Sequence, residues 1–206
     1  MNELNININK KIKILEYVVY LNQNLIKYIK KIEILKSKKS INLILKDAKF
    51  LEPTIFFLKK HSKNQFELLS DIFSIDLLSN MNFYRFQVLY SLLSLRFNIR
   101  INLIINVHEY QKINSIFYIF KNASWFEREI WDMFGIFFFN HNDLRRILSD
   151  YGFEGFPLRK DFPLSGFFEI RYDDKKKRIV YEVIETSQEF RLFEFKSPWE
   201  SSLNIY

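Results

Sequence analysis

The sequence of 206 residues contains no cysteine, only three histidines and no long run of uncharged apolar residues. The absence of cysteine excludes disulfides, thiolate zinc sites and cysteine-held iron–sulfur clusters. His61, His108 and His141 lie far apart in the sequence, so we expect no dedicated metal centre. A membrane-spanning helix needs about 18 to 20 apolar residues, and the uncharged run 17–26 has roughly half that length. We therefore predict a globular chain without a membrane span.

Basic residues are concentrated in the first third of the chain. Lysine and arginine total 31 against 24 acidic residues, and residues 1–63 alone hold fourteen lysines, no arginine and five acidic residues. A basic arm that binds RNA or anionic lipid is one interpretation. A solvated helix face is the other, and the lack of any arginine before Arg85 favours it, because phosphate recognition relies on arginine.

Glycine and proline are also scarce and unevenly placed. All four glycines and two of the four prolines lie within residues 135–166. This distribution predicts an α+β body over 1–134, with a lysine-rich helical beginning, and a Gly/Pro-marked region over 135–206. Apolar spacing in the body predicts helices at 12–35 and from Pro53 to His61, strands at 41–45, 65–78, 86–90 and 99–103, and a turn at 91–95. We expect a compact mixed sheet with flanking helices.

Residues 124–136 predict a short, well-capped helix. Ser124 and Glu127 have the spacing of a capping box, Arg128 and Asp132 that of an i, i+4 ion pair, and Gly135 that of a left-handed residue after the helix end. Glu127, Glu129 and Asp132 also permit an alternative, a carboxylate hydrolase. The predicted cap and ion pair already employ two of these three carboxylates, which favours a structural role.

An irregular segment follows the helix. Asp143 is predicted to cap a short helix that has Arg145 and Arg146 in its first turn. Residues 149–166, which we call the ribbon, show neither helical nor strand periodicity, and their glycines and prolines exclude a long helix or a central strand. A hairpin is predicted at 167–172 and 178–184, followed by an aromatic tail. So many aromatic side chains indicate that this region packs on its own body or on a partner protein.

One long motif resembles a known family. The motif begins with E-R-E-x-x-D-M-F, continues through His141 and Arg145-Arg-Ile-Leu, and ends with D-Y-G-F-E-G-x-P-L-R-K-D-F-P-L-S-G. It resembles the thirty-kilodalton subunit of respiratory complex I, of the mitochondrially encoded subunit 9 type. The dense match spans 125–166 and continues more loosely to residue 200. Two positions depart from the family pattern: Asn142 replaces the usual proline, and Phe156 replaces the usual histidine.

The resemblance implies a core structural subunit of the peripheral arm of NADH:ubiquinone oxidoreductase. Such a subunit carries no redox centre, while FMN, iron–sulfur clusters and ubiquinone are bound on or between other subunits. It supports electron transfer from NADH to ubiquinone coupled to proton translocation. It also lies on the matrix side of the mitochondrial inner membrane, against the forty-nine-kilodalton subunit and the terminal-cluster subunit, with no nucleic-acid partner.

The motif residues are therefore expected to have structural or interface roles, with no catalytic, cofactor-binding or metal-binding residue among them. This set comprises Glu127, Arg128, Glu129, Asp132, His141, Arg145, Arg146, Gly152, Gly155, Pro157, Arg159, Lys160, Asp161 and Pro163.

Overall fold

A five-stranded mixed sheet forms the centre of the fold. The computed structural model describes residues 15–35, 40–78, 83–191 and 193. The strands follow the spatial order β1-β2-β5-β4-β3, in which β2 and β5 are parallel and the other neighbours antiparallel. Their bounds are β1 Ile29–Leu35, β2 Ser40–Leu45, β3 Leu68–Asp76, β4 Phe86–Ser94 and β5 Ile99–Val107. The predicted α+β class is confirmed.

Within the described ranges, three helices contribute to the core of this sheet. Helix α1 includes residues 15–25, α2 spans Leu51–Lys60 after a 3-10 turn at Ala48–Phe50, and α3 spans Ala123–Phe134. Alternate residues of β4 are buried, as a strand with one core-facing side requires. Four of them, Phe86, Val88, Tyr90 and Leu92, share one apolar cluster with helix residues Leu21, Ile55 and Ile130.

The predicted helix at 12–35 is only partly correct. Residues 15–25 are helical, residues 12–14 lie outside the described part, and Ile29–Leu35 is strand β1. Ile32 and Ile34 pair with Leu43 and Ile41 of β2. Pairing with a neighbouring strand thus overrides the helical spacing of the isoleucines, whose β-branched side chains suit a strand.

The other body elements match the prediction except at one turn. The strands predicted at 41–45 and 65–78 are confirmed, as is the helix that includes Pro53, which lies in the first turn of α2. The turn predicted at 91–95 is wrong, because β4 continues to Ser94 and the chain turns at 95–98. Asn98 has a φ of 50°, a left-handed conformation that asparagine tolerates.

Contacts divide the chain into two units, residues 1–162 and 163–206, whereas the predicted regions meet at 134/135. In the first unit two short strands, β6 Ile113–Asn114 and β7 Phe138–Phe139, pair in parallel beside α3. In the second, β8 Phe168–Asp173 and β9 Arg178–Val183 form the predicted hairpin.

Phe190 and Phe193 of the tail are exposed, and Phe195 and Trp199 lie outside the described residues. None of the helices in the described ranges is long and apolar enough to cross a membrane.

Candidate functional site: the charged frame of helix α3

Glu127 of helix α3 points into the protein instead of capping the helix. The helix begins at Ala123, and its N-cap residue Asn122 makes no side-chain cap, so the predicted capping box is wrong. Asn122 donates instead to the carbonyl of Leu69, at 2.9 Å. Glu127 is fully buried and accepts from Ser115 Oγ at 2.5 Å and from the backbone N–H of Ile116 at 2.9 Å. It therefore fixes the segment that precedes the helix.

Burial dominates the electrostatics of Glu127. It raises the pKa of the carboxyl to about 7, although the hydrogen bonds from Ser115 and Ile116 act in the opposite direction. The hydroxyl of Tyr90 on β4 is also buried and, among the described residues, has no hydrogen-bond partner. Burial raises the pKa of Tyr90, and the charge of Glu127 adds to that shift. Glu127 and Tyr90 thus form a buried pair of titratable groups under the sheet.

His141 lies beside this pair. Its Nδ1 accepts from the backbone N–H of Asp143 at 3.0 Å, so Nε2 carries the proton of the neutral ring and donates to the carbonyl of Ser124 at 3.3 Å. Nε2 is 3.7 Å from Glu127 Oε2, and both side chains are fully buried. Burial lowers the pKa of His141, and the nearby Arg128 lowers it further. The histidine therefore anchors the chain after β7 to the start of α3.

Arg128 and Asp132 do not form the predicted i, i+4 ion pair. Arg128 donates from Nε to the carbonyl of Arg145 at 3.3 Å, and its guanidinium lies over the ring of Trp125. Asp132 turns toward the chain that follows Arg146. Each of the two side chains thus hydrogen-bonds to a segment distant in sequence instead of pairing with the other.

Asp132 is the most heavily hydrogen-bonded carboxylate of the site. Its Oδ2 accepts from the backbone N–H groups of Ile147, Leu148 and Ser149 at 3.1, 2.6 and 2.9 Å. Its Oδ1 accepts from the Ser149 hydroxyl and, at 3.4 Å, from Arg146. Burial alone would raise the pKa of Asp132, but the hydrogen bonds outweigh it and lower the pKa. One buried carboxylate thus shapes the entry to the ribbon.

The short helix predicted after Asp143 does not form. Residues 141–150 are irregular, and Asp143 pairs with Arg145 on the surface at 3.0 Å. Both terminal nitrogens of Arg146 donate to the carbonyl of Gly155 at 2.9 Å, and its guanidinium lies over Phe156. Asp132 and Arg146 thus hold this segment by contacts with side chains and carbonyls outside it, in place of a helical hydrogen-bond pattern.

The ribbon closes the C-terminal end of α3. The N–H of Leu158 donates to the carbonyl of Met133 at 3.1 Å, and Arg159 Nε donates to that of Phe134 at 2.6 Å. These carbonyls have no partner inside the helix, and a cation is favourable at the negative end of its dipole. Gly135 has the predicted left-handed conformation (φ 74°), and a Cβ there would lie 2.6 Å from both Arg159 and Phe156. Only glycine leaves room for this closure.

An ion-pair network connects the ribbon to the sheet. Arg85, directly before β4, donates to Glu109 at 2.7 Å and to Asp161 at 2.6 Å, and lies 3.6 Å from Asp76. Arg159 shares Glu109 at 3.0 Å. The bond from Arg85 lowers the pKa of Asp161. The side chains of Arg85 and Asp76 are 12% and 2% exposed, so the centre of this network is shielded from solvent.

Three groups of polar and charged side chains have now been described, and together we call them the charged frame. The first is Glu127 with Ser115 and His141, and the second is Asp132 with Arg146. The third is Arg85 with Asp76, Glu109, Arg159 and Asp161. Ser115, Asp76, Arg85 and Glu109 were not among the predicted site residues. Their partners are far away in sequence, 76 positions in the case of Arg85 and Asp161, so local spacing contains no signal for them.

The remaining predicted residues lie at the edge of the frame. Glu129 is exposed beside a small apolar cleft of β3 and α3, and Lys160 donates its backbone N–H to Asp76 at 2.9 Å. Gly152 and Gly155 both have positive φ, and a Cβ at Gly155 would lie 2.8 Å from Phe162. Pro157 is half-buried in the ribbon, and Pro163 accepts from Gly166 in the second unit.

The carboxylates of α3 therefore do not converge on a reaction centre. Glu127 faces Ser115, Asp132 faces the ribbon entry, and Glu129 faces solvent. No group of three potential metal ligands is present in the described part of the chain. What the arrangement does is to fasten three segments distant in sequence to one helix.

The sequence that forms this site matches a known protein family. The profile of "Respiratory-chain NADH dehydrogenase, 30 Kd subunit" matches residues 44–168, which include the whole charged frame. The chain is 52% identical over 174 residues to NADH dehydrogenase [ubiquinone] iron-sulfur protein 3 of Beta trigyna, covering 84% of this chain and 88% of that protein. It is 51% identical over 151 residues to NADH-ubiquinone oxidoreductase subunit 9 of Prototheca wickerhamii, covering 73% and 78%.

A solved structure has the same fold. The trypsin-resistant fragment (1-134) of Nqo5 superposes with a TM-score of 0.53 at 26% identity, covering 63% of this chain and 98% of the fragment. The predicted resemblance is thereby confirmed: this chain belongs to the 30-kilodalton subunit family of the respiratory-chain NADH dehydrogenase, complex I.

Proposed function

We propose that this chain is a structural subunit of the peripheral arm of complex I that has no redox centre of its own. In this role it supports electron transfer from NADH to ubiquinone coupled to proton translocation, with FMN, iron–sulfur clusters and ubiquinone bound by other subunits. The name of the relative from Beta trigyna contains the words iron-sulfur protein. Cysteine ligands for such a cluster do not exist in this sequence.

The observation that carries the proposal is the use of the motif charges inside the chain. Asp132 binds five donors, Glu127 holds Ser115 and Ile116, and Arg159 binds both the end of α3 and Glu109. Charged side chains whose hydrogen-bonding positions are occupied in this way can fix the backbone conformation beneath a surface. A general acid or base would need a free position for a substrate.

The surface held in shape is apolar and aromatic. Tyr151 of the ribbon is 99% exposed, and Leu148, Leu158 and Trp125 around the frame are each more than half exposed. Clustered apolar groups on a monomer are typical of a protein–protein interface. We propose that these residues and region 135–206 pack on the forty-nine-kilodalton and terminal-cluster subunits, on the matrix side of the inner membrane.

Two measurements test this proposal. The assembly that co-purifies with the tagged chain is expected to contain NADH dehydrogenase subunits in fixed stoichiometry. The purified chain alone is expected to show no flavin, haem or iron by optical and metal analysis. A stoichiometric cofactor on the isolated chain, or recovery of the chain without any complex I subunit, would overturn it.

A further inference from the structure

The hairpin β8–β9 separates apolar and charged residues between its two faces. Directly opposed residues of an antiparallel pair lie on the same face, and successive pairs alternate between faces. One face is built from three apolar pairs, which are Phe168–Val183, Ile170–Tyr181 and Tyr172–Ile179. The other face is built from the pairs Glu169–Glu182, Arg171–Val180 and Asp173–Arg178. A two-stranded hairpin is only marginally stable by itself and gains stability when its apolar side packs against a further surface.

The apolar face is large enough for a stable interface. Its six side chains are between 51% and 69% exposed. Since a large aromatic residue buries about 150–250 Å², the face offers on the order of 600 Å². A partner in a standard interface contributes about 800 Å². The hairpin thus supplies most of one side of such an interface.

The charged face and the turn are ordered by their own contacts. Arg171 donates to both carboxylate oxygens of Glu182, at 2.7 and 2.6 Å. Asp173 Oδ1 accepts from the backbone N–H groups of Lys175 and Lys176 at 2.9 and 3.2 Å, which fixes the turn. The turn presents four consecutive basic residues, 175–178, all of them exposed. The hairpin therefore combines an apolar face with a cluster of positive charge at its turn.

We propose that the apolar face of hairpin β8–β9 docks on another protein subunit of the same assembly, whose matching surface is aliphatic or aromatic and has carboxylates beside residues 175–178. This inference rests on the proposed function and specifies the surface and the chemistry of the partner.

Charge favours a protein partner over a lipid surface or a second copy. Residues 163–206 hold seven basic and eight acidic residues, so the second unit lacks the positive excess that draws a hairpin to an anionic membrane. Two copies of the chain would each bring a net charge of +7, which opposes self-association. A subunit that combines apolar area with acidic groups satisfies both features of the hairpin.

The test compares two variants with the same change in net charge, one on each face of the hairpin. Each variant is the full-length chain and is supplied as the only copy of the subunit. The double variant Ile170→Lys with Ile179→Lys adds two positive charges to the apolar face, and Glu169→Lys changes the opposite face by the same amount. We expect the double variant to enter the complex at least about tenfold less, because each buried aliphatic side chain contributes enough for that factor. Glu169→Lys is expected to assemble normally. Both isolated chains are expected to unfold at the wild-type denaturant midpoint.

A second measurement does not depend on a destabilising change. A benzoylphenylalanine photoprobe in place of Tyr172, on the apolar face, is expected to cross-link to another subunit in the assembled complex, and the same probe at Glu169 is not. Adducts at position 172 only with phospholipid, a second copy or the chain itself would overturn the inference. So would normal assembly of the double-lysine variant. Absence of the wild-type chain from complex I would overturn the proposed function instead.

Discussion

Replacement of Asp132 by alanine is expected to cost about 3–5 kcal/mol of folding free energy, as the loss of one partner from a buried charged pair does. The carboxylate is fully buried and binds three backbone N–H groups, a hydroxyl and a guanidinium. Each buried donor left without an acceptor costs about 1–3 kcal/mol. Arg146 is 28% exposed, so water can replace part of its lost contact. Against a total stability of about 5–15 kcal/mol, the change is large.

Urea unfolding of the full chain measures this cost. Asp132→Asn keeps one acceptor oxygen in place and is expected to lose about 1.5–3 kcal/mol, the value of a charged hydrogen bond. Glu129→Ala, an exposed carboxylate on the same helix, is the control and is expected to stay within about 0.5 kcal/mol of wild type. In the assembly, Asp132→Ala should reduce the amount of complex more than the turnover of each complex. An unchanged unfolding midpoint, or normal assembly with collapsed turnover, would refute the structural role.

Three further predictions concern the frame and the unit boundary. Because burial raises the pKa of Glu127 to about 7 from a usual 4.5, its stabilisation is full below about pH 4.5 and is lost as the pH rises through 7. Glu127→Gln should therefore gain stability relative to wild type between pH 5 and 8 in urea unfolding; a constant difference would contradict this. Arg85→Ala is expected to cost about 3 kcal/mol because it leaves the buried Asp76 without its guanidinium. Asp161→Asn, at a half-exposed partner, should cost under about 1 kcal/mol; equal midpoint shifts would argue against the network. Truncation after Phe162 should preserve cooperative unfolding of the first unit, whereas truncation after Leu148 removes the closure of α3 and should lower the midpoint. Identical midpoints for the two truncations would show that the ribbon does not stabilise α3.

Elements with strong local signals were predictable from the sequence. Strand β2, the hairpin β8–β9, helix α2 and the left-handed Gly135 all follow from apolar alternation, proline placement or glycine conformation. Strand β1 departs from the predicted helix because its isoleucines fit either period, and only the pairing with β2 decides between helix and strand. The turn after β4 lies later than predicted, because pairing with β5 continues to Ser94, beyond the alternation of Phe86, Val88 and Tyr90 on which the prediction depends.

The contacts of the frame were not predictable from spacing. Glu127 and Asp132 have local partners available at the favoured helical intervals, yet both bind segments 11 to 17 positions away. A buried carboxylate gains more from several backbone donors than from one solvated ion pair. The tertiary contacts available to these two carboxylates therefore determine their hydrogen-bond partners, and the helical neighbours predicted from spacing do not. The motif string identified the family, but the physical role of each charge follows only from the fold.

The internal use of these charges also constrains how the subunit binds its partners. Guanidinium and carboxylate groups that are paired within the frame contribute little field outside it, so they are poorly placed to steer a partner during encounter. Large apolar and aromatic side chains are exposed around the frame, and Tyr151 is the most exposed of those in the described residues. Interfaces of that kind depend on close packing and owe their affinity mainly to slow dissociation. The frame serves this purpose directly, because it holds the irregular backbone beneath Tyr151 and Leu148 in one conformation before a partner arrives, which lowers the conformational cost of binding.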